Sequence, residues 1–136
     1  MKFSVGVMGA VVLSVAASAV AAEEQGVASS MLCAVTHTVS CDSLGDCIIG
    51  PASAVNLPVF LKFNPDQGTV ESARQGGERR TSKIAHVGGA GDYMVFLGDE
   101  GDSGWSATVT KSTGSFTGTV SEEGLGYVIF GSCLAN

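Results

Sequence analysis

An all-β domain is predicted here, a small antiparallel up-and-down β-barrel of about eight strands stapled by disulfides. Three observations point to it. Short runs rich in β-branched and aromatic residues alternate with turn segments built on Gly, Pro, Asn and Asp. Helical periodicity is absent between them. Four cysteines, Cys33, Cys41, Cys47 and Cys133, form an even set whose outer members stand at the two ends of the domain. Bridging the first strand to the last closes the sheet and removes its edges, which are an aggregation hazard. A two-sheet sandwich is the alternative architecture.

The strand-like runs are 31–41, 46–50, 56–64, 68–75, 80–87, 92–98, 104–111, 114–121 and 125–133. Between them lie Asn64-Pro65-Asp66-Gln67-Gly68, Gly88-Gly89-Ala90-Gly91, the stretch Gly98 to Gly104, Ser112-Thr113-Gly114 and Glu122-Glu123-Gly124. Glycine supplies positive φ and proline presets φ, so such clusters reverse a chain. The connections are too short for parallel crossovers, so neighbours are antiparallel. Alternation is cleanest late in the chain. Trp105, Ala107 and Val109 share one face opposite Ser106, Thr108 and Thr110, and Phe116, Gly118 and Val120 oppose Ser115, Thr117 and Thr119. That is the period of a strand with one wet face.

Three runs are apolar on both faces. Phe60 opposes Leu57, Val59, Leu61 and Phe63; Met94 and Phe96 oppose Tyr93, Val95 and Leu97; Val128 and Phe130 oppose Tyr127 and Ile129. A small barrel has one interior. Phe60, Met94, Phe96, Val128 and Phe130 are therefore expected to form an outward patch for self-association or a protein partner.

The first 22 residues read as a cleavable signal peptide. Lys2 precedes an uncharged apolar run from Phe3 to Val20, small residues follow at Ala19, Ala21 and Ala22, and Glu23 and Glu24 open an acidic segment. This order is that of a secretory leader rather than an anchor, so no stable membrane anchor is expected after cleavage. The expected organisation is a signal peptide over 1–22, a disordered lead-in over 23–30 and a single β domain over 31–136, periplasmic or secreted. Seven basic and thirteen acidic residues give a net charge of −6, and loss of Lys2 makes it −7. Nucleic acid, whose binding needs many Lys and Arg contacts to phosphate, is excluded as a partner on this balance.

An even cysteine count in a small exported domain reads as a disulfide framework. Cys41 and Cys47 bracket Asp-Ser-Leu-Gly-Asp, a turn composition that brings them within bridging distance, which leaves Cys33 for Cys133. Zinc binding by the four thiolates is the rival. It lacks paired C-x₂₋₄-C spacing and is disfavoured in an oxidising compartment.

Candidate chemistry is sparse. Gly101-Asp102-Ser103-Gly104 resembles the nucleophile loop of chymotrypsin-like serine proteases, with His86 and Asp92 or Asp99 as triad partners. A triad needs a base oriented by a buried acid and an oxyanion hole beside the serine. Here His86 and Ser103 are close in sequence, and Trp105 replaces the glycine that follows that motif, so an acidic hairpin turn is the better reading. Asp99, Glu100 and Asp102 lack the shaped oxygen cage of a calcium loop. His37 shares an alternating face with Cys33, Val35, Val39 and Cys41, the position of a core or cavity residue. Arg74, Arg79, Arg80 and Lys83 cluster around Gly76 and Gly77 and form an anion-contact candidate at a hairpin tip. Solubility and pairing with Glu71 or Glu78 is the plainer role. No catalytic residue, metal site or cofactor loop is expected.

The outline resembles that of the periplasmic inhibitors of C-type lysozyme, exported disulfide-bearing eight-stranded β-barrels that insert a loop into the enzyme's cleft. Gly89-Ala90-Gly91-Asp92-Tyr93 is similar to their inhibitory loop but lacks its serine. The ending Phe130-Gly131-Ser132-Cys133 is similar to that of exported proteobacterial proteins without an assigned role. The function expected is therefore an exported non-catalytic β domain binding a protein or a small ligand in the cell envelope. Inhibition of an envelope-targeting hydrolase such as lysozyme is one alternative, and a small hydrolase is the other.

Overall fold

The computed structural model describes residues 30–73 and 76–135. The predicted signal peptide, nearly all of the lead-in, and Arg74 lie outside the described residues. The strands are β1 (Met31–Asp42), β2 (Cys47–Gly50), β3 (Phe60–Asn64), β4 (Thr69–Ala73), β5 (Arg79–Gly88), β6 (Tyr93–Glu100), β7 (Ser103–Thr110), β8 (Ser115–Glu122) and β9 (Leu125–Ala135). Every pairing is antiparallel. β9 returns to pair with β1, so eight strands close a barrel and the sandwich alternative falls away. β2 stands apart from the eight. It lies on Thr38–Cys41 of β1, while β3 takes the Met31–Ala34 half of the same edge.

Closure of eight strands requires tilt and stagger, and the register supplies them. Ladder partners traced from Asn64 through Thr69, Lys83, Asp99, Gly104, Ser121 and Gly126 arrive at Cys41. Phe63, beside Asn64, pairs with Met31 at the opposite end of β1. One circuit of the barrel therefore climbs nearly the length of β1.

The interior is built around Phe63. Its ring lies 4.9 Å from Phe96, 6.0 Å from Phe116 and 6.5 Å from Trp105, tilted or edge-on in each case. Met31, Val35, Val70, Ile84, Val109 and Ile129 complete the packing. Full burial of such side chains contributes about 1.5–3 kcal/mol each. Cys33 and Cys133 are directly opposed in the β1–β9 ladder, buried and bonded to one another. Cys41 and Cys47 are opposed across β1 and β2 and form the second disulfide. With both bonds formed, no thiolate remains for zinc.

Three sequence expectations are corrected. Phe96 is 0 % exposed and Met94 packs against the core, so neither belongs to an outward patch. The reason is register. Opposed residues of an antiparallel pair share a face, and Phe96 and Met94 oppose the inward Ala107 and Val109 of β7. Tyr93 and Leu97 are the exposed apolar members of β6.

His37 is not a core residue either. A β-bulge between Val35 and His37 shifts the alternation, so that Cys33, Val35 and Thr38 are buried while His37 is exposed. The His37 ring stacks on Phe130 at 4.7 Å, and the bulged Thr36 donates its hydroxyl to the Phe130 carbonyl at 3.0 Å.

The expected strand 56–64 begins only at Phe60. A 3-10 turn over Ala52–Val55 ends at Asn56, whose φ of 55° is left-handed, and the chain then rejoins β1 where Val35 N–H donates to the Val59 carbonyl at 2.8 Å.

The two disulfides close loops of very different length, spanning 100 and 6 positions. Chain entropy then assigns about 4.7 kcal/mol to Cys33–Cys133 and about 2 kcal/mol to Cys41–Cys47. Paired serine substitutions measured by urea unfolding are expected to lose stability in that order. Equal losses would show that loop length is not what these bonds act through.

Candidate functional site

The inward residues of β5 to β8 change character along the barrel. Towards one end they are Arg80 and Ser82 on β5, Glu100 on β6, Ser103 on β7 and Glu122 on β8. Deeper on the same faces come Ile84, Phe96, Trp105, Ala107, Phe116 and Val120. Strand parity alone produces this two-zone interior, since residues i and i+2 share a face. Between Phe116 and Val120 the chain places Gly118, where a Cβ would meet the Phe116 ring at 3.1 Å. A small residue there leaves space. The result is a cavity of about 220 Å³ with an aromatic floor of Phe63, Trp105 and Phe116. Leu57 and Pro58, from the segment after the 3-10 turn, form its side wall.

Gly98 positions the principal ring. It is the ladder partner of Trp105, and a Cβ at Gly98 would fall 2.3 Å from Trp105 Cζ2, 2.4 Å from Cε2 and 2.6 Å from the Lys83 carbonyl. The indole thus lies pressed on the bare backbone of β6 and contributes to the cavity wall. Its Nε1 is buried without a hydrogen-bond partner among the described residues.

The rim is a polar network. Arg80 donates from Nε to Glu78 Oε1 at 3.0 Å, and its Nη1 lies 3.9 Å from Glu100 Oε1. Ser82 donates its hydroxyl to Glu100. Ser103 Oγ donates to Glu122 Oε1 at 3.2 Å. Such partly exposed pairs are worth at most about 1 kcal/mol each, so the strands rather than the ion pairs hold these groups in place.

The anion-contact candidates separate. Arg80 turns inward to the rim, where two acids engage it, while Arg79 and Lys83 are exposed on the strand's other face. Alternation along β5 divides what looked like one cluster. Of the remaining patch candidates, Phe60 is 50 % exposed and pairs with Ala34, and Val128 and Phe130 are half-buried and pair with Val39 and His37 across the other edge of β1.

Ser103 and His86 are not brought together. Ser103 lines the cavity beside Glu122, while His86 pairs with the exposed Leu97 on the outer face. Asp99 and Glu100 alternate in the same way, and among the described residues no group of three His, Cys, Asp or Glu is placed to hold a metal ion.

Cavity residues escaped the sequence reading, although one signal for them existed. Arg80, Ser82, Glu100, Ser103 and Glu122 all fall on inward parity once the turn between β6 and β7 is reduced to Gly101-Asp102.

Gly98→Ala is expected to destabilise the protein by about 2 kcal/mol, because its methyl group meets backbone as well as the indole. The Trp105 emission should shift with it. An unchanged melting temperature and unchanged emission would show that the indole does not depend on this shelf.

Compared with known protein families, curated proteins and solved structures, the chain matches none.

Proposed function

We propose that this protein is an exported, non-catalytic binding barrel of the cell envelope that holds a small, largely apolar ligand in its open end. The cavity carries this reading. It combines an aromatic floor with a few polar groups at the mouth, the composition of ligand sites in general. Its volume of about 220 Å³ exceeds the roughly 150 Å³ that accommodates benzene. One ring with a short side arm fits. Export and the periplasm are supported by the leader-like first 22 residues and by two disulfides, bonds that persist in oxidising compartments. A hydrolase is disfavoured because Ser103 has a carboxylate rather than a histidine as its hydrogen-bond partner.

The reading is tested with 2-phenylethanol, followed by calorimetry and by Trp105 fluorescence. Saturable binding with one site per chain is expected. Val120→Phe, which fills the space from the wall, should abolish binding while the far-ultraviolet spectrum stays that of the folded barrel. Binding that survives Val120→Phe would move the site elsewhere.

Inhibition of an envelope-targeting hydrolase such as lysozyme is a second reading, favoured by the turn before β6. Tyr93 is 56 % exposed there, and Asp92 accepts the Ser112 N–H at 2.9 Å while its carbonyl accepts the Lys111 N–H at 2.7 Å. A tethered turn carrying an exposed tyrosine suits insertion into a cleft. If this reading holds, micromolar protein slows lysozyme and Tyr93→Ala relieves the effect. Undiminished lysozyme activity removes it.

A further inference from the structure

We infer that the ligand of this cavity is a small organic cation, an aromatic or alkyl ammonium whose apolar body fills the floor and whose charged head lies at the rim. The inference rests on the reading of the barrel as a ligand-binding module and adds the ligand's charge.

Two independent features have the same sign. The first is the floor. Phe63, Trp105 and Phe116 together line the cavity, and the face of an aromatic ring carries negative potential that attracts an ammonium and repels a carboxylate. The second is the rim. Glu100 and Glu122 line the mouth against the single cation Arg80. Among the described residues the Glu122 side chain accepts only the Ser103 hydroxyl, and no basic side chain pairs with it.

Arg80 is the one group that favours the opposite charge, since a guanidinium fork suits a carboxylate. Its charge is already met from two sides. Nε is engaged by Glu78 at 3.0 Å, and Nη1 faces Glu100 at 3.9 Å. An anionic ligand would have to displace these contacts and then rest beside two carboxylates and three aromatic rings. A cationic ligand displaces nothing and gains the uncompensated Glu122. At longer range the net charge of −6 also concentrates cations at the surface.

The test compares three probes of nearly one shape on the folded full domain at pH 7: 2-phenylethylammonium, 2-phenylethanol and 3-phenylpropanoate. Calorimetry is expected to rank the ammonium about tenfold tighter than the alcohol, with the carboxylate weakest. Glu122→Gln should reduce the ammonium's advantage over the alcohol by about threefold. Raising the salt to about 0.5 M should narrow the advantage in the unsubstituted protein, a measurement that needs no variant. An alcohol that binds as well as the ammonium, or a carboxylate that binds better, overturns the charge assignment while leaving the binding barrel intact. If none of the three binds at millimolar concentration, the binding reading itself fails, and the charge assignment with it.

Discussion

The β1–β9 ladder is the contact on which the rest of this molecule depends. It joins Met31–Asp42 to Leu125–Ala135 along almost the full length of both strands. Only this pairing converts a meander of hairpins into a closed surface with an inside. Hairpins form from local sequence, but closure brings together residues a hundred positions apart, and loop entropy opposes it. The Cys33–Cys133 bond lies within that ladder, at directly opposed inward positions. Backbone pairing and covalent bond therefore act on the same step. The large stagger of the circuit is fixed there too, and with it the tilt that leaves the barrel wide enough for the Phe63 cluster.

Closure also explains why the interior has two zones. A barrel of tilted strands has a packed middle and two ends, and the ends are filled only if strands or loops cover them. On one side Phe63, Phe96 and Phe116 pack together across the middle, with Phe63 and Phe116 bounding the cavity. Towards the other, β3 and β4 are only five residues long, and the inward positions of β5 to β8 turn polar. Arg80, Glu100 and Glu122 are tolerated on inward parity because they stand at the mouth, where water reaches them. Further in on the same faces stand Ile84, Phe96, Trp105 and Phe116. The polar rim is thus the outer limit of the core, and the cavity is the region in between.

Much of the fold was legible in the sequence. Nine strand-like runs, their turns and both disulfide pairings could be read from local composition, because turn chemistry and strand alternation are local properties. Facing was legible only where alternation was clean, as along Trp105, Ala107 and Val109. It failed for Met94 and Phe96, where both faces of the strand are apolar and only the partner strand decides. A turn read as spanning Gly98 to Gly104 hid that decision. The two-residue turn at Gly101-Asp102 pairs Glu100 with Ser103 and carries Phe96 onto Ala107. At His37 the reading failed for a different reason. A single bulged residue, Thr36, reverses parity for the rest of β1, and nothing in the string Val35-Thr36-His37-Thr38 marks it. The cavity was illegible for the same cause as Met94: its walls come from all eight barrel strands, whose relative register had to be known first.

The barrel does not abolish every edge. β2 pairs with β1 alone, and its outer edge carries the exposed Ile48 and Ile49, with Leu44 at the neighbouring turn. An apolar free edge invites further strands. Three features limit it here. The strand is four residues long, too short to offer more than a few ladder bonds. Pro51 follows it directly and lacks an N–H to extend the ladder. Asp42 and Asp46 stand at its other end, where the Asp42 carboxylate is committed to the N–H groups of Leu44 and Asp46 at 2.9 and 3.0 Å. The Cys41–Cys47 bond then holds the hairpin to β1. This second disulfide adds little to closure and acts on a part of the sheet that closure leaves open. The two bonds thus serve different ends of one problem, the first making the barrel and the second restraining the strand that the barrel does not enclose.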